Sequence, residues 1–158
     1  MDLLARYDLL TRAGRFNFAL NGTYISNFAE AKAANLSLVN AVSTQNHPLN
    51  LKVRGSVRWR LGAFDVSGYV NYFNHYTDET ILPARHVSSW STVDLHAAYT
   101  LRPDARGWLS ETTFALGADN LFDRDPPFLN NGLAGIGYDQ ENGDLTGRMV
   151  NFTVRTKW

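Results

Sequence analysis

Apolar and polar residues alternate with a period of two along several segments, and the segment that ends the chain shows this most fully. Alternate residues of the segment 147–158 form two sets. One set is apolar apart from Thr156: Val150, Phe152, Val154, Thr156 and Trp158. The other set is more polar: Met149, Asn151, Thr153, Arg155 and Lys157. Successive side chains of a strand point to opposite faces of a sheet, so this pattern predicts a β-strand. An apolar band that ends on an aromatic residue is typical of strands in a membrane barrel.

The same period predicts six further strands. Their ranges are 1–10, 15–26, 49–61, 64–77, 90–101 and 109–119. Three long loops are predicted where the period is lost, with a short helical turn at 29–34 in the first of them: 27–48, 78–89 and 120–146. Short turns are predicted between the remaining strands, at 11–14, 62–63 and 102–107.

Long loops and short turns alternate along the chain, which predicts all long loops on one side of the sheet and all short turns on the other. Outer-membrane barrels have this asymmetry, whereas a soluble β-sandwich has no reason to adopt it. The predicted fold class is therefore all-β: an antiparallel up-and-down meander of about seven strands, part of a larger transmembrane β-barrel. Seven strands alone are too few for closure, because an open sheet in lipid would leave unpaired backbone groups at both edges.

Composition excludes several other classes of function. The formal net charge of +0 and the pI of about 6.9 argue against a nucleic-acid partner. The lack of cysteine excludes disulfides, thiolate metal sites and a cysteine nucleophile. No apolar run approaches the roughly 20 residues of a transmembrane helix. The amino terminus resembles no secretion signal, so we expect the chain to be a piece of a longer one without its signal peptide.

Several short motifs resemble the carboxyl-terminal region of TonB-dependent outer-membrane receptors. The first is Asn120-Leu121-Phe122-Asp123-Arg124-Asp125-Pro126-Pro127-Phe128, followed by Gly137-Tyr138-Asp139, then Gly147-Arg148 and the aromatic terminus. Val70-Asn71-Tyr72, Tyr76-Thr77-Asp78 and Trp90-Ser91-Thr92-Val93-Asp94-Leu95 resemble the preceding strands of that family. The resemblance covers most of the chain and identifies residues 1–158 as the carboxyl-terminal portion of a receptor barrel that lacks its plug domain.

The resemblance implies a place in the outer membrane of a Gram-negative cell. It implies energy-coupled uptake of a scarce nutrient, such as a metal chelate of the ferric siderophore kind. It further implies three partners: outer-membrane lipid, the barrel-assembly machinery, and the TonB energy transducer, which would contact a TonB box in the missing amino-terminal part. The assembly signal of the last strand would lie at Phe152, Val154 and Trp158. We expect no transport by this chain alone, no enzymatic activity, no cofactor and no nucleic-acid partner.

A cationic row on the third predicted strand, 49–61, is the candidate ligand site. Lys52, Arg54, Arg58 and Arg60 would face the barrel lumen, where they could attract an anionic chelate or acidic plug residues. The favoured alternative is a solvated lumen wall whose charge is balanced by Asp65 and Asp94 on neighbouring strands, because lumen residues are polar in general.

Other reactive residues form no convincing site in the sequence. Four histidines lack metal-ligand spacing, so no metal site is predicted: His47, His75, His86 and His96. A triad of Ser88, His86 and Asp94 can be imagined, but only geometry defines a triad. The last long loop carries acidic residues that could hold calcium, although a solvated, hydrogen-bonded loop is favoured: Asp123, Asp125, Asp139, Glu141 and Asp144.

Aromatic residues concentrate towards the predicted strand ends. Trp59, Tyr99 and Trp158 lie at short-turn ends, and Tyr24, Tyr72 and Tyr76 lie at long-loop ends. Two girdles at the membrane interfaces would explain both sets. The alternative function, from a different class, is a soluble or surface-exposed β-sheet binding module without a membrane role.

Overall fold

The computed structural model describes residues 1–31, 33–34, 36–101, 111–130 and 135–156. Within these residues the regular structure consists of β-strands, with no helix. In chain order the strands are β1 (Asp2–Thr11), β2 (Gly14–Tyr24), β3 (Ala29–Glu30), β4 (Val39–Asn40), β5 (Leu51–Leu61), β6 (Phe64–Phe73), β7 (Tyr76–Asp78), β8 (Arg85–Val87), β9 (Trp90–Thr100), β10 (Thr113–Asp119) and β11 (Met149–Arg155). Over these ranges no helix has the length and hydropathy needed to cross a bilayer.

Seven long strands form one antiparallel sheet in the order β1-β2-β5-β6-β9-β10-β11. Each long strand pairs with the next long strand of the chain, which is an up-and-down meander, and the sheet is open. The prediction of an all-β, antiparallel meander of about seven strands is confirmed. The short strands pair locally within the connections, β3 with β4 and β7 with β8.

The register places the alternating positions of the long strands on two continuous faces. Residues directly opposite one another on neighbouring strands share a face. Phe18 stands opposite Tyr7 and Val57, and Leu116 stands opposite Ala97 and Phe152. Such pairs join the apolar positions of all seven strands into one surface, here called the apolar face. The intervening positions form the polar face, so the predicted division of side chains is confirmed.

The long connections all lie at one end of the sheet and pack together there. They join β2 to β5, β6 to β9 and β10 to β11, whereas the tight β1–β2 and β5–β6 turns lie at the opposite end. A small core forms between the three connections from Leu49, Tyr76, Val87 and Leu129, with Phe73 against it. This loop core holds four of the buried apolar side chains among the described residues.

Polar contacts also tie the connections to one another. A parallel bridge joins Thr44 to Thr77, and the backbone N–H of Gln45 donates to the carbonyl of Thr77 at 3.0 Å. From the last connection, the Asn142 amide donates to the carbonyl of His47 at 2.9 Å. The three connections therefore form one cap rather than three separate loops.

Several local predictions need correction. The predicted helical turn at 29–34 is wrong, because Ala29 and Glu30 form β3 and pair with β4, where the side chain of Asn40 accepts from the backbone N–H groups of Phe28 and Val42. The predicted strand 64–77 ends at Phe73, and its last residues belong to β7. The strand predicted from 109 begins at Thr113. The turn predicted at 102–107, and Trp158 with its part in the assembly signal, lie outside the described residues.

Candidate functional site

The apolar face carries no charged residue within the seven long strands. Many of its large side chains are open to solvent in the isolated chain, among them Leu116 at 54% and Phe152 at 67%. Soluble monomers rarely expose contiguous apolar patches larger than a few hundred Å². A charge-free apolar surface seven strands wide therefore marks a face that something apolar covers.

Aromatic residues lie near both ends of the apolar face. Trp59 stands opposite Phe16 at the short-turn end, and the rings of Phe64 and Tyr99 meet there at 4.9 Å. The Trp59 indole N–H donates to the carbonyl of Ala13 at 2.7 Å, so its polar group contacts the neighbouring turn. An apolar ring with its polar group towards water is the arrangement that membrane interfaces favour.

Tyrosines occupy the long-loop end, with one exception to the prediction. Tyr24 is exposed, and the hydroxyl of Tyr72 donates to the side chain of Asn74 at 2.9 Å. Tyr76 was expected in the same girdle, but it is 4% exposed and belongs to the loop core. Burial is the main cause that raises its pKa, and the charges of Asp139 and Asp78 act in the same direction.

The predicted cationic row lies on the polar face, where its side chains contact residues on neighbouring strands of the same sheet. Arg58 forms a bidentate ion pair with Asp65, in which Nε donates to Oδ1 at 2.7 Å. Arg54 donates to the Asn71 side chain at 2.6 Å and lies 3.6 Å from a carboxylate oxygen of Asp94. The expected balance of the row by Asp65 and Asp94 is therefore found.

The two ends of the row have weaker contacts. Arg60 donates to the side chain of Asn17 at 3.0 Å, and the Lys52 ammonium lies 6.0 Å from the ring centre of Phe73. Arg54 also lies over the ring of Tyr69 at 4.4 Å. The guanidinium-bearing side chains of Arg54 and Arg58 remain about half exposed, at 51% and 52%. Binding of an anionic ligand by this row stays a prediction.

A concave site that the sequence did not indicate lies where the polar face meets the cap. This pocket of about 240 Å³ lies between the start of β9, the end of β10 and the connection before β11, with β6 contributing Phe73. Phe73 and Trp90 stack there with ring centres 4.8 Å apart. They stand directly opposite one another in the β6–β9 register, so the strand alignment was the signal that could have placed them together.

Carboxylates rather than cations line this pocket. Asp94 is 8% exposed and accepts hydrogen bonds from the Asn71 side chain at 3.0 Å and from the backbone N–H of Asn120 at 3.1 Å. Asp119 lies 3.2 Å from His96. An aromatic pair beside hydrogen-bond acceptors suits a ligand with a ring face and donor groups.

The other candidate residues are separated or held by local contacts. In the described part of the chain, no hydrogen bond joins the three residues of the imagined triad, Ser88, His86 and Asp94. The His86 ring lies 5.1 Å from that of His75. Asp94 accepts hydrogen bonds from Asn71 and Asn120, as described above. In that same part, no group of three or more His, Cys, Asp or Glu residues could hold a metal ion.

Several acidic residues of the last connection accept hydrogen bonds that fix its conformation. Asp123 accepts from the backbone N–H of Arg148 at 2.7 Å, and Asp144 accepts from the backbone and hydroxyl of Thr146. The Thr146 hydroxyl bond lowers the pKa of the exposed Asp144 carboxyl. Asp139, expected to be solvated, is 2% exposed and accepts from the backbone of Asn46 and from Asn142.

Comparison of the chain with models of known protein families, with curated protein sequences and with solved structures gives no match in any of the three.

Proposed function

We propose that this chain is a wall segment of a transmembrane β-barrel in the outer membrane of a Gram-negative cell, of the TonB-dependent receptor class. The observation that carries the proposal is the continuous, charge-free apolar face across seven strands in register. In a barrel this face meets hydrocarbon, and the polar face with its paired charges lines the lumen. The cap then lies on the extracellular side, and the tight turns lie on the periplasmic side.

Strand direction supports a segment rather than a complete barrel. The seven long strands alternate in direction, so β1 and β11 run the same way. Closing the sheet with antiparallel pairs alone therefore requires an odd number of additional strands, which together with these seven gives the even total of bacterial barrels. Both edge strands are fully exposed along their length, so their outer backbone groups need such partners in lipid.

The proposed activity is that of the whole receptor, which is energy-coupled uptake of a scarce nutrient such as a ferric siderophore. The lumen-facing row from Lys52 to Arg60 suits an anionic chelate. Outer-membrane lipid and the barrel-assembly machinery are the direct partners of this segment, and the last strand with Phe152 and Val154 carries the assembly signal. The TonB transducer would act through another part of the receptor.

Cell fractionation tests the proposal most directly. The whole protein should sediment with the outer membrane, resist extraction by alkaline carbonate, and require detergent for solubility. Recovery of a monodisperse protein from aqueous lysate without detergent would overturn the proposal and favour the soluble or surface-exposed binding module instead.

A further inference from the structure

A polar cluster buried within the cap contains a carboxylate with an unpartnered oxygen. Asp78, the last residue of β7, has a relative exposure of 0%. Its Oδ1 atom accepts from the backbone N–H of Thr80 at 3.0 Å and from the Thr80 hydroxyl at 2.6 Å. Its Oδ2 atom is buried and has no hydrogen-bond partner among the described residues.

Gln45 ends in the same cluster with a second unpartnered atom. Its side chain is 5% exposed, its Oε1 position lies 3.2 Å from the Thr80 hydroxyl, and its Nε2 position is buried without a partner in the described part of the chain. A hydroxyl has one hydrogen, and the shorter contact to the Asp78 carboxylate uses it. The Gln45 atom that faces Thr80 must therefore be a donor.

Turning the Gln45 amide resolves this conflict, because the two ends of an amide side chain have nearly the same shape. Nε2 then donates to Thr80, Thr80 donates to Asp78, and the unpartnered atom of Gln45 becomes its oxygen. Two buried oxygens, one on a carboxylate and one on an amide, are left without a donor. Buried polar atoms are rarely left unsatisfied, so these two oxygens call for a shared partner.

The charge of Asp78 indicates what kind of partner is needed. The structure shows no ion pair to Asp78 among the described residues, and Arg85, opposite it in the β7–β8 register, is exposed. A buried carboxylate without a compensating charge is strongly unfavourable.

Space for a partner with its own water lies beside the cluster. A cavity of about 440 Å³ is lined by Gln45 and Thr80 together with Thr44, His47 and Glu79. Gln45 and Thr80 belong to the polar cluster and line this cavity, whereas Asp78 lies behind Thr80, to which it is hydrogen-bonded. A bound group could therefore enter from the side of the sheet on which the long connections lie.

We propose that the cap holds a hard cation, with Asp78 Oδ2 and Gln45 Oε1 as protein ligands and water from the cavity completing its shell. Calcium is the representative of this class, because it takes carboxylate and amide oxygens together with water. The cation would join β7 to the 41–50 segment and so fix two of the three long connections. This site differs from the acidic residues of the last connection, and it does not depend on the membrane proposal.

Terbium luminescence tests the site on the whole folded protein, in detergent or in aqueous buffer. Tb³⁺ replaces Ca²⁺ in oxygen sites, and Tyr76, two residues before Asp78, can sensitise its emission. We expect emission on tyrosine excitation that Ca²⁺ displaces. Asp78→Asn should weaken binding by at least about tenfold. Asp144→Asn is the matched control, because Asp144 makes the same two bonds to Thr146 but is exposed, and it should leave emission unchanged.

Gln45→Glu keeps the test informative if Asp78→Asn does not fold. The change adds a carboxylate to the site and should tighten Ca²⁺ binding, since affinity rises with ligand charge. The proposal is overturned if the folded protein gives no sensitised emission, if Asp78→Asn binds as tightly as the original, or if Gln45→Glu fails to tighten binding. Each of these results would exclude Asp78 and Gln45 as ligands of a bound cation.

Discussion

Arginine placed on each face of β10 should separate an apolar face that meets lipid from one that meets water. Leu116 and Ala115 are adjacent residues near the middle of this strand. Leu116 lies on the apolar face opposite Ala97 and Phe152, and Ala115 lies on the polar face opposite Ala98 and Thr153. Both changes introduce the same side chain into the same strand, so the strand propensity of the introduced residue is the same in both variants.

The expected difference follows from what each side chain would meet. Arginine at a lipid-facing position near the bilayer midplane costs about 2–4 kcal/mol, whereas a lumen-facing one costs little. At about 1.4 kcal/mol per factor of ten, Leu116→Arg should lower the folding equilibrium constant by roughly 30- to 700-fold. If the apolar face met water instead, Leu116 would be a surface residue, and its replacement would change stability by only about 0.5 kcal/mol.

Urea unfolding from lipid vesicles, followed by tryptophan fluorescence, measures both variants in the whole protein. The reasoning requires Leu116→Arg to be at least about 1.5 kcal/mol less stable than Ala115→Arg. Equal stabilities, or a less stable Ala115→Arg, would refute the assignment of the apolar face to lipid.

Three smaller predictions follow from local geometry. Gly14→Ala should destabilise by about 1–3 kcal/mol and by more than Gly62→Ala in denaturant unfolding, because the new Cβ at position 14 would lie 2.5 Å from a backbone oxygen of β5, whereas position 62 opens onto free space. Leu129→Ala should cost about 2–5 kcal/mol of local stability in the loop core and should expose the cap, but not the strands, to limited proteolysis. Thr146→Ala should raise the pKa of Asp144 towards 3.8 in an NMR titration. Because the folded pKa is lowered, the Asp144 carboxylate contributes stability above its ordinary pKa, and this contribution is lost as the pH falls. The pH dependence should be smaller in the variant, where only the backbone N–H of residue 146 still donates to Asp144.

The division into faces could be predicted from sequence because it is purely geometric. Side chains of a strand alternate whatever the strand pairs with, so the apolar positions around Val57 or Leu116 identify one face without knowledge of the partners. The order of the strands in the sheet could also be predicted, since tight turns force consecutive strands to pair. The pairing of Arg58 with Asp65 followed from placing two adjacent strands side by side.

The cap could not be predicted because it depends on contacts between distant segments that have no period. Leu49, Tyr76 and Leu129 come from three different connections, and nothing local marks them as neighbours. Tyr76 looked like an interface tyrosine because the predicted strand 64–77 placed it near a long-loop end. Burial of Asp139 depends likewise on Asn46, which is far away in the chain.

The sheet as a whole lacks what a soluble domain of this size needs. Stable domains pack at least two layers of secondary structure around a shared core. Among the described residues the buried apolar side chains lie in the connections or at strand ends close to them, and no second layer covers either face of the sheet. The apolar face and both edges therefore need cover from outside the described residues. Lipid would cover the face, and further strands would cover the edges. A soluble module would instead need a second sheet or a helical layer whose apolar side matches this face, and its edges would still be open to pairing with other chains.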